Sequence, residues 1–186
     1  MTAQPSSMPR VLLVHGIWNA KSWLTPLARR LRHEGFEVEA FGYPSILGGP
    51  EPAIAGLIAR LQGGPPVHLV GHSLGCISLL HFLSRRTPAQ LGGLVLAAGF
   101  ARVLPRLPQL DAYIQHSRPD YTALAQIAMP VHCVISRNDT HVPPALSEQM
   151  AQALHGRISW LNNGGHLMAE DGFTELPVVW AALQAM

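Results

Sequence analysis

The pentapeptide Gly71-His72-Ser73-Leu74-Gly75 has the residue types and spacing of a nucleophile site. It follows the apolar run Val67-His68-Leu69-Val70 and precedes Cys76-Ile77-Ser78-Leu79-Leu80-His81-Phe82-Leu83. The order is strand, sharp turn, helix, with a serine at the apex, as in the G-x-S-x-G elbow. So tight a turn forces strained backbone angles on the serine and pushes its hydroxyl out of the sheet. Strand and helix then pass so close that only glycine fits at Gly71 and Gly75. The hydroxyl also lies at a helix N-terminus, which favours developing negative charge. The N–H of Leu74 is a natural oxyanion donor. With 17 glycines in the chain, a chance match is the competing reading, and the flanking strand and helix argue against it. Ser45, Ser78 and Ser136 lack this setting and read as turn, helix and strand positions.

A serine hydroxyl needs a base to take its proton. That base is most often a histidine oriented by a buried carboxylate. For an elbow of this kind the chain order is nucleophile, acid, histidine. Asp139 sits in the loop after the apolar strand Val131–Ile135, in the segment Ser136-Arg137-Asn138-Asp139-Thr140-His141-Val142-Pro143. A carboxylate just beyond the carboxyl end of a parallel strand lies where open α/β sheets bind ligands. Its competing reading is a turn aspartate capping local backbone. Asp111 and Asp120 fall in a stretch without rigid support, and Asp171 comes after the candidate histidine. That histidine is His166, in Asn162-Asn163-Gly164-Gly165-His166-Leu167, where two glycines permit a loop folded back over the crevice. The alternative for His166 is an exposed loop residue. His141 is its rival, but two residues from Asp139 it reads as rim, and His72 should point away from the hydroxyl. The remaining histidines show no zinc-type spacing with cysteine or carboxylate, and no metal is expected. The loop His15-Gly16-Ile17-Trp18 after the first strand is the place for a second oxyanion donor, the N–H of Ile17. His15-Gly16 can also be a plain strand-ending turn. Trp18 either lines an acyl pocket beside His15 or packs on the sheet.

Strand and helix signals alternate along the chain, which calls for a parallel sheet covered on both faces. Val11–Val14 is a strand. The helix after it is capped by Ser22 or Thr25, buries Trp23, Leu27 and Leu31, and ends at Gly35. Phe36–Ala40 alternates as a half-exposed edge strand. Residues 51–61 are helical, Val67–Val70 is the central strand, and 74–86 is the elbow helix. Leu94–Ala98 and Val131–Ile135 are continuous apolar runs, as buried parallel strands are. Helix 144–155, strand 158–161 and helix 173–183 complete the pattern. The stretch 100–119, with three prolines, is an irregular excursion with one short helix near 110–115.

At 186 residues the length favours one domain, 1–186, with a flexible tail at 1–9. A chain of this size buries about 70% of its unfolded surface and needs no staples. The formal charge is +2, and the basic residues are scattered; Arg29, Arg30 and Arg32 share one helix as a solvated face. Nucleic acid is not an expected partner, and neither is membrane insertion. Cys76 and Cys133 are too few for a disulfide framework and read as buried fillers. The position of Cys76 near a helix start would favour a lowered thiol pKa. No basic and apolar leader marks the N-terminus, so a cytoplasmic protein is expected.

Four motifs in order, His15-Gly16, Gly71–Gly75, the Asp139 loop ending in Val142-Pro143, and Gly165-His166, make the chain resemble the α/β-hydrolase family over nearly its whole length. The tail from Gly165 to Phe173 is similar to the YdeN-like small serine hydrolases, and the front part from His15 to Pro44 to bacterial lipase-like esterases. The resemblance implies about six parallel strands with helices on both faces and a minimal lid, or none, at 100–119. It implies Ser73 as nucleophile, His166 as base and Asp139 as orienting acid, with no cofactor. The expected activity is hydrolysis of carboxylic esters with small or medium acyl chains, from a small-molecule ester or an acyl carrier. The alternatives are a thioesterase or acyltransferase with the same residues, or a binding protein that retains the fold.

Overall fold

The computed structural model describes residues 8–16, 21–41, 51–86, 91–173 and 175–186. Six strands are present: β1 (Arg10–Val14), β2 (Glu37–Phe41), β3 (Val67–His72), β4 (Leu91–Ala97), β5 (Val131–Ser136) and β6 (Arg157–Leu161). They form one sheet in the order β2-β1-β3-β4-β5-β6, and every neighbouring pair is parallel. The helices are α1 (Lys21–His33), α2 (Glu51–Leu61), α3 (Leu74–Arg85), α4 (Asp111–His116), α5 (Tyr121–Leu124), α6 (Pro144–Ala153) and α7 (Pro177–Gln184).

Side chains alternate across a strand, so each strand feeds two cores. One core takes Leu12, Leu69, Leu94, Leu96 and Ile135, with Ile77 and Leu80 of α3 and Met150 of α6. The opposite core takes Val11, Leu13, Val70, Val95 and Val134, with Leu27 and Leu31 of α1 and Val179 of α7. Helices therefore cover both faces, and β2 is an edge strand with the pattern of a half-exposed one. The strand order reverses between β1 and β3, the position at which open α/β sheets bind ligands at their carboxyl edge.

Two expectations are corrected. Helix α1 already begins at Lys21, so Ser22 and Thr25 lie within it rather than before it. The last helix begins at Pro177, four residues late. A 3-10 turn at Ala169–Asp171 closes on Gly172 in the left-handed region (φ 85°), and Leu176 (φ 41°) turns the chain again before Pro177 starts the helix. The stretch 100–119 is an irregular excursion that carries one short helix, α4, close to the expected 110–115. A 3-10 turn at Pro108–Leu110 leads into α4, and Leu104, Leu110, Tyr113 and Ile114 are buried in the core beside α3. The Tyr113 hydroxyl lies 2.7 Å from Ser78 Oγ of α3. No lid is evident. The first seven residues of the expected tail, and Ser45, lie outside the described residues. No helix among the described residues is long and apolar enough to cross a membrane.

Candidate active site

Ser73 joins β3 to α3 with φ 54° and ψ −123°, angles that a side chain adopts only under strain. The surrounding contacts hold it there. Its N–H donates to the Ala97 carbonyl at 2.9 Å, so the turn is tied to the end of β4. A Cβ on Gly71 would come 3.0 Å from the Cys76 Cα, and one on Gly75 would overlap the Val14 carbonyl. A Cβ on Gly16 would press on Ser73 Cβ at 2.9 Å and approach the Leu74 nitrogen at 3.3 Å. The loop after β1 thus lies directly against the elbow. His15 is buried there, with its Nδ1–H turned onto the Gly16 carbonyl. Ile17 and Trp18 lie outside the described residues.

Asp139 and His166 come to Ser73 from the ends of β5 and β6. Ser73 Oγ donates to His166 Nε2 at 3.0 Å, and His166 Nδ1–H donates to Asp139 Oδ2 at 2.8 Å. The His166 and Asp139 side chains are only 7% and 3% exposed, so the path is shielded from water. Oδ1 of Asp139 accepts the N–H groups of His141 and Val142 at 2.8 and 2.9 Å. Asp139 therefore caps local backbone with one oxygen and meets His166 with the other.

The main chain of His166 is gripped at both ends. Its N–H donates to Asp171 Oδ2 at 2.8 Å, and the same oxygen accepts the Met168 N–H at 3.1 Å. Its carbonyl accepts the Nε2–H of His72 at 2.8 Å. Gly165 and Leu167 on either side stand at positive φ, 53° and 59°, which swings the ring over the crevice. The loop is stitched to the end of β5. Gly164 N–H donates to Ser136 Oγ and Gly165 N–H to Asn138 Oδ1, both at 2.9 Å, and Ser136 Oγ donates to Asn138 Oδ1 at 2.7 Å.

Several of these residues escaped sequence reasoning. Chain order excludes Asp171 as the acid, yet it holds the His166 backbone. His72 turns its Nε2–H onto the His166 carbonyl, and its ring centroid lies 5.0 Å from that of His166. Burial, reinforced by the nearby His166, pulls the His72 pKa down to about 3 and keeps the ring neutral. Cys76 is corrected as well: burial drives its thiol pKa well above its ordinary value, outweighing any helix-start effect. Burial also raises Cys133, to about 12. Asp139, His141 and His166 each present a ligand atom within 4.8 Å of the others.

A family model described as serine hydrolase matches residues 11–185. The chain belongs to the serine hydrolase family. Among relatives of this hydrolase, YdeN of Bacillus subtilis (strain 168) is 32% identical over 183 residues, covering 94% of each chain. The crystal structure of the B. subtilis ydeN gene product superposes with a TM-score of 0.86 at 30% identity, over 95% of this chain and 97% of that one. A monoacylglycerol lipase from Paleococcus ferrophilus shares the fold, with a TM-score of 0.75 at 18% identity, over 94% and 92% of the two chains. The chain is thus a YdeN-like α/β hydrolase.

Proposed function

We propose that this serine hydrolase cleaves carboxylic esters of small or medium acyl chains, with Ser73 as nucleophile, His166 as general base and Asp139 as the acid that orients it. The observation that carries the reading is the unbroken hydrogen-bonded path from Ser73 Oγ through His166 to Asp139, at 3.0 and 2.8 Å. Asp139 holds Nδ1–H and so leaves the Nε2 lone pair facing the hydroxyl. As Oγ attacks the ester carbonyl, its proton passes to Nε2, and Asp139 stabilises the imidazolium. The tetrahedral oxyanion is received by the N–H of Leu74 at the start of α3 and by that of Ile17 in the loop after β1. The close approach of Gly16 to Ser73 and to the Leu74 nitrogen supports that pairing. His166 then protonates the leaving alcohol, the acyl-enzyme forms, and water activated by the same ring releases the acid.

The residues that contact the acyl group on this reading are His15, buried beside the elbow, and Trp18, which lies outside the described residues. The stretch 100–119 is taken up in packing beside α3, which supports an open site suited to a small ester or the end of an acyl carrier. The two free, buried cysteines fit a reducing compartment, and we place the protein in the cytoplasm.

Profiling on p-nitrophenyl esters of increasing chain length, beside matched thioesters, tests the reading. Activity should be highest on short to medium oxygen esters. A fluorophosphonate probe should label Ser73. Ser73→Ala should lose roughly 10⁴–10⁶ in turnover. Labelling or hydrolysis that persists in folded Ser73→Ala protein would overturn the assignment.

A further inference from the structure

Asp139, His141 and His166 meet in one cluster at the carboxyl edge of the sheet. One ring nitrogen from each histidine and one carboxylate oxygen all lie within 4.8 Å of one another. The cluster is anchored rather than loose. Two main-chain N–H groups hold Asp139 by Oδ1, leaving Oδ2 aimed at His166 Nδ1. His166 is fixed at both its N–H and its carbonyl. The half-buried ring of His141 lies against that of His166, with centroids 4.8 Å apart and planes tilted by 31°. Its Nδ1 is 3.5 Å from Thr140 Oγ1, too long a contact to restrain the ring. Two imidazoles and one carboxylate, completed by a water, make a donor set that suits Zn²⁺.

We infer that Asp139, His141 and His166 form an inhibitory Zn²⁺ site built on the hydrolytic residues. A tetrahedral ion with bonds of about 2.0–2.1 Å separates its ligand atoms by about 3.3 Å. Asp139 Oδ2 and His166 Nδ1, now 2.8 Å apart, must part by about 0.5 Å to admit it. The His141 ring must close by at most about 1.5 Å from the present limit of 4.8 Å, which rotation of a half-buried ring provides. An ion on Nδ1 takes the place of the hydrogen there. The neutral ring then carries its hydrogen on Nε2, the nitrogen that faces Ser73 Oγ. The ring loses no proton in total; it changes tautomer. Nε2 can no longer accept the serine proton, and Asp139 is engaged by the ion instead of orienting the base. The silencing rests on His166 acting as the base; the binding does not.

Three measurements test the site on the intact protein. Calorimetric titration should show one Zn²⁺ bound per chain, and Co²⁺ should give the visible absorption of a tetrahedral site. Zn²⁺ should inhibit p-nitrophenyl ester hydrolysis, and a chelator should restore it. His141→Phe keeps a ring against His166 and removes one ligand. It should hydrolyse esters normally without zinc and need at least about tenfold more Zn²⁺ for half-inhibition, since loss of even an outer partner costs about 10–100-fold in affinity. His141→Asn, which alters the ring contact, should behave alike. Binding or inhibition unchanged in both variants would assign the ion to other histidines and overturn the site. Zn²⁺ bound at the cluster without inhibition would overturn the silencing. Should the protein hydrolyse no ester at all, the titration and the Co²⁺ spectrum still decide whether the ion binds.

Discussion

The imidazole of His72 donates to the main-chain carbonyl of His166 across 2.8 Å, so the residue beside the serine supports the loop that carries the proposed base. A carbonyl only accepts, so Nε2 of His72 carries the hydrogen. His72 is buried, and its low pKa keeps it in the neutral form this bond can use. It acts as a positioning residue, since it reaches the chemistry only through His166.

His72→Ala should therefore lower kcat by about 10–100-fold while KM changes little, because a base displaced by a fraction of an ångström loses its alignment. The unbonded carbonyl should also cost about 1–3 kcal/mol of stability. His72→Gln, which offers an N–H at similar reach, should recover most of kcat. A purely structural role would lower stability and leave kcat per folded molecule unchanged in both variants.

The strained angles of Ser73 lead to a second expectation. At φ 54° and ψ −123°, serine and alanine carry the same penalty of roughly 1–3 kcal/mol, and glycine carries almost none. Glycine loses about 0.5–1 kcal/mol through its freer unfolded chain. Ser73→Gly should therefore be at least as stable as Ser73→Ala in urea unfolding, and both should be inactive. A Ser73→Gly protein clearly less stable than Ser73→Ala would show that the turn stores no strain.

Stability should also depend on acidity through His72. Its folded pKa is lowered from 6.5 to about 3, so between those values the unfolded chain binds a proton that the native ring refuses. The stabilising difference is complete above about pH 6.5 and is lost as pH falls towards 3. By pH 4 the loss from this one residue reaches on the order of 3 kcal/mol. Burial lowers His68 and His132 as well, which adds in the same direction. Denaturant midpoints at pH 7, 5.5 and 4 should fall steadily in the wild type and less steeply in His72→Gln. Parallel slopes in the two proteins would remove His72 from the account.

Some of this site was legible in the chain because strand, turn and helix signals are local. Ser73 sits between an apolar run and a helix, and Asp139 and His166 each follow a strand that residue types alone identify. Bonds between side chains and distant main chain were not legible. Asp171 reaches the N–H of His166 only because Gly165, Leu167 and Gly172 take left-handed angles that fold the loop back. Asn138 and Ser136 bond to glycine N–H groups more than 25 residues ahead, with no periodic trace in the sequence. The late start of α7 has the same origin, since the turn at Leu176 is a left-handed residue of a type that rarely adopts one. In 100–119 the short helix was legible, but the burial of Leu104, Leu110, Tyr113 and Ile114 in the core beside α3 was not.

The stitching of the β6 loop to the end of β5 has a consequence for synthesis. A growing polypeptide that has extruded only as far as β3 bears a harmless alcohol, because the imidazole that would arm it lies 93 residues further on. When the sixth strand settles beside the fifth, Ser136 and Asn138 latch the incoming loop, and its imidazole meets the carboxylate already held at the end of β5. On the proposed reading, a chain cut short before β6 carries the serine without its base.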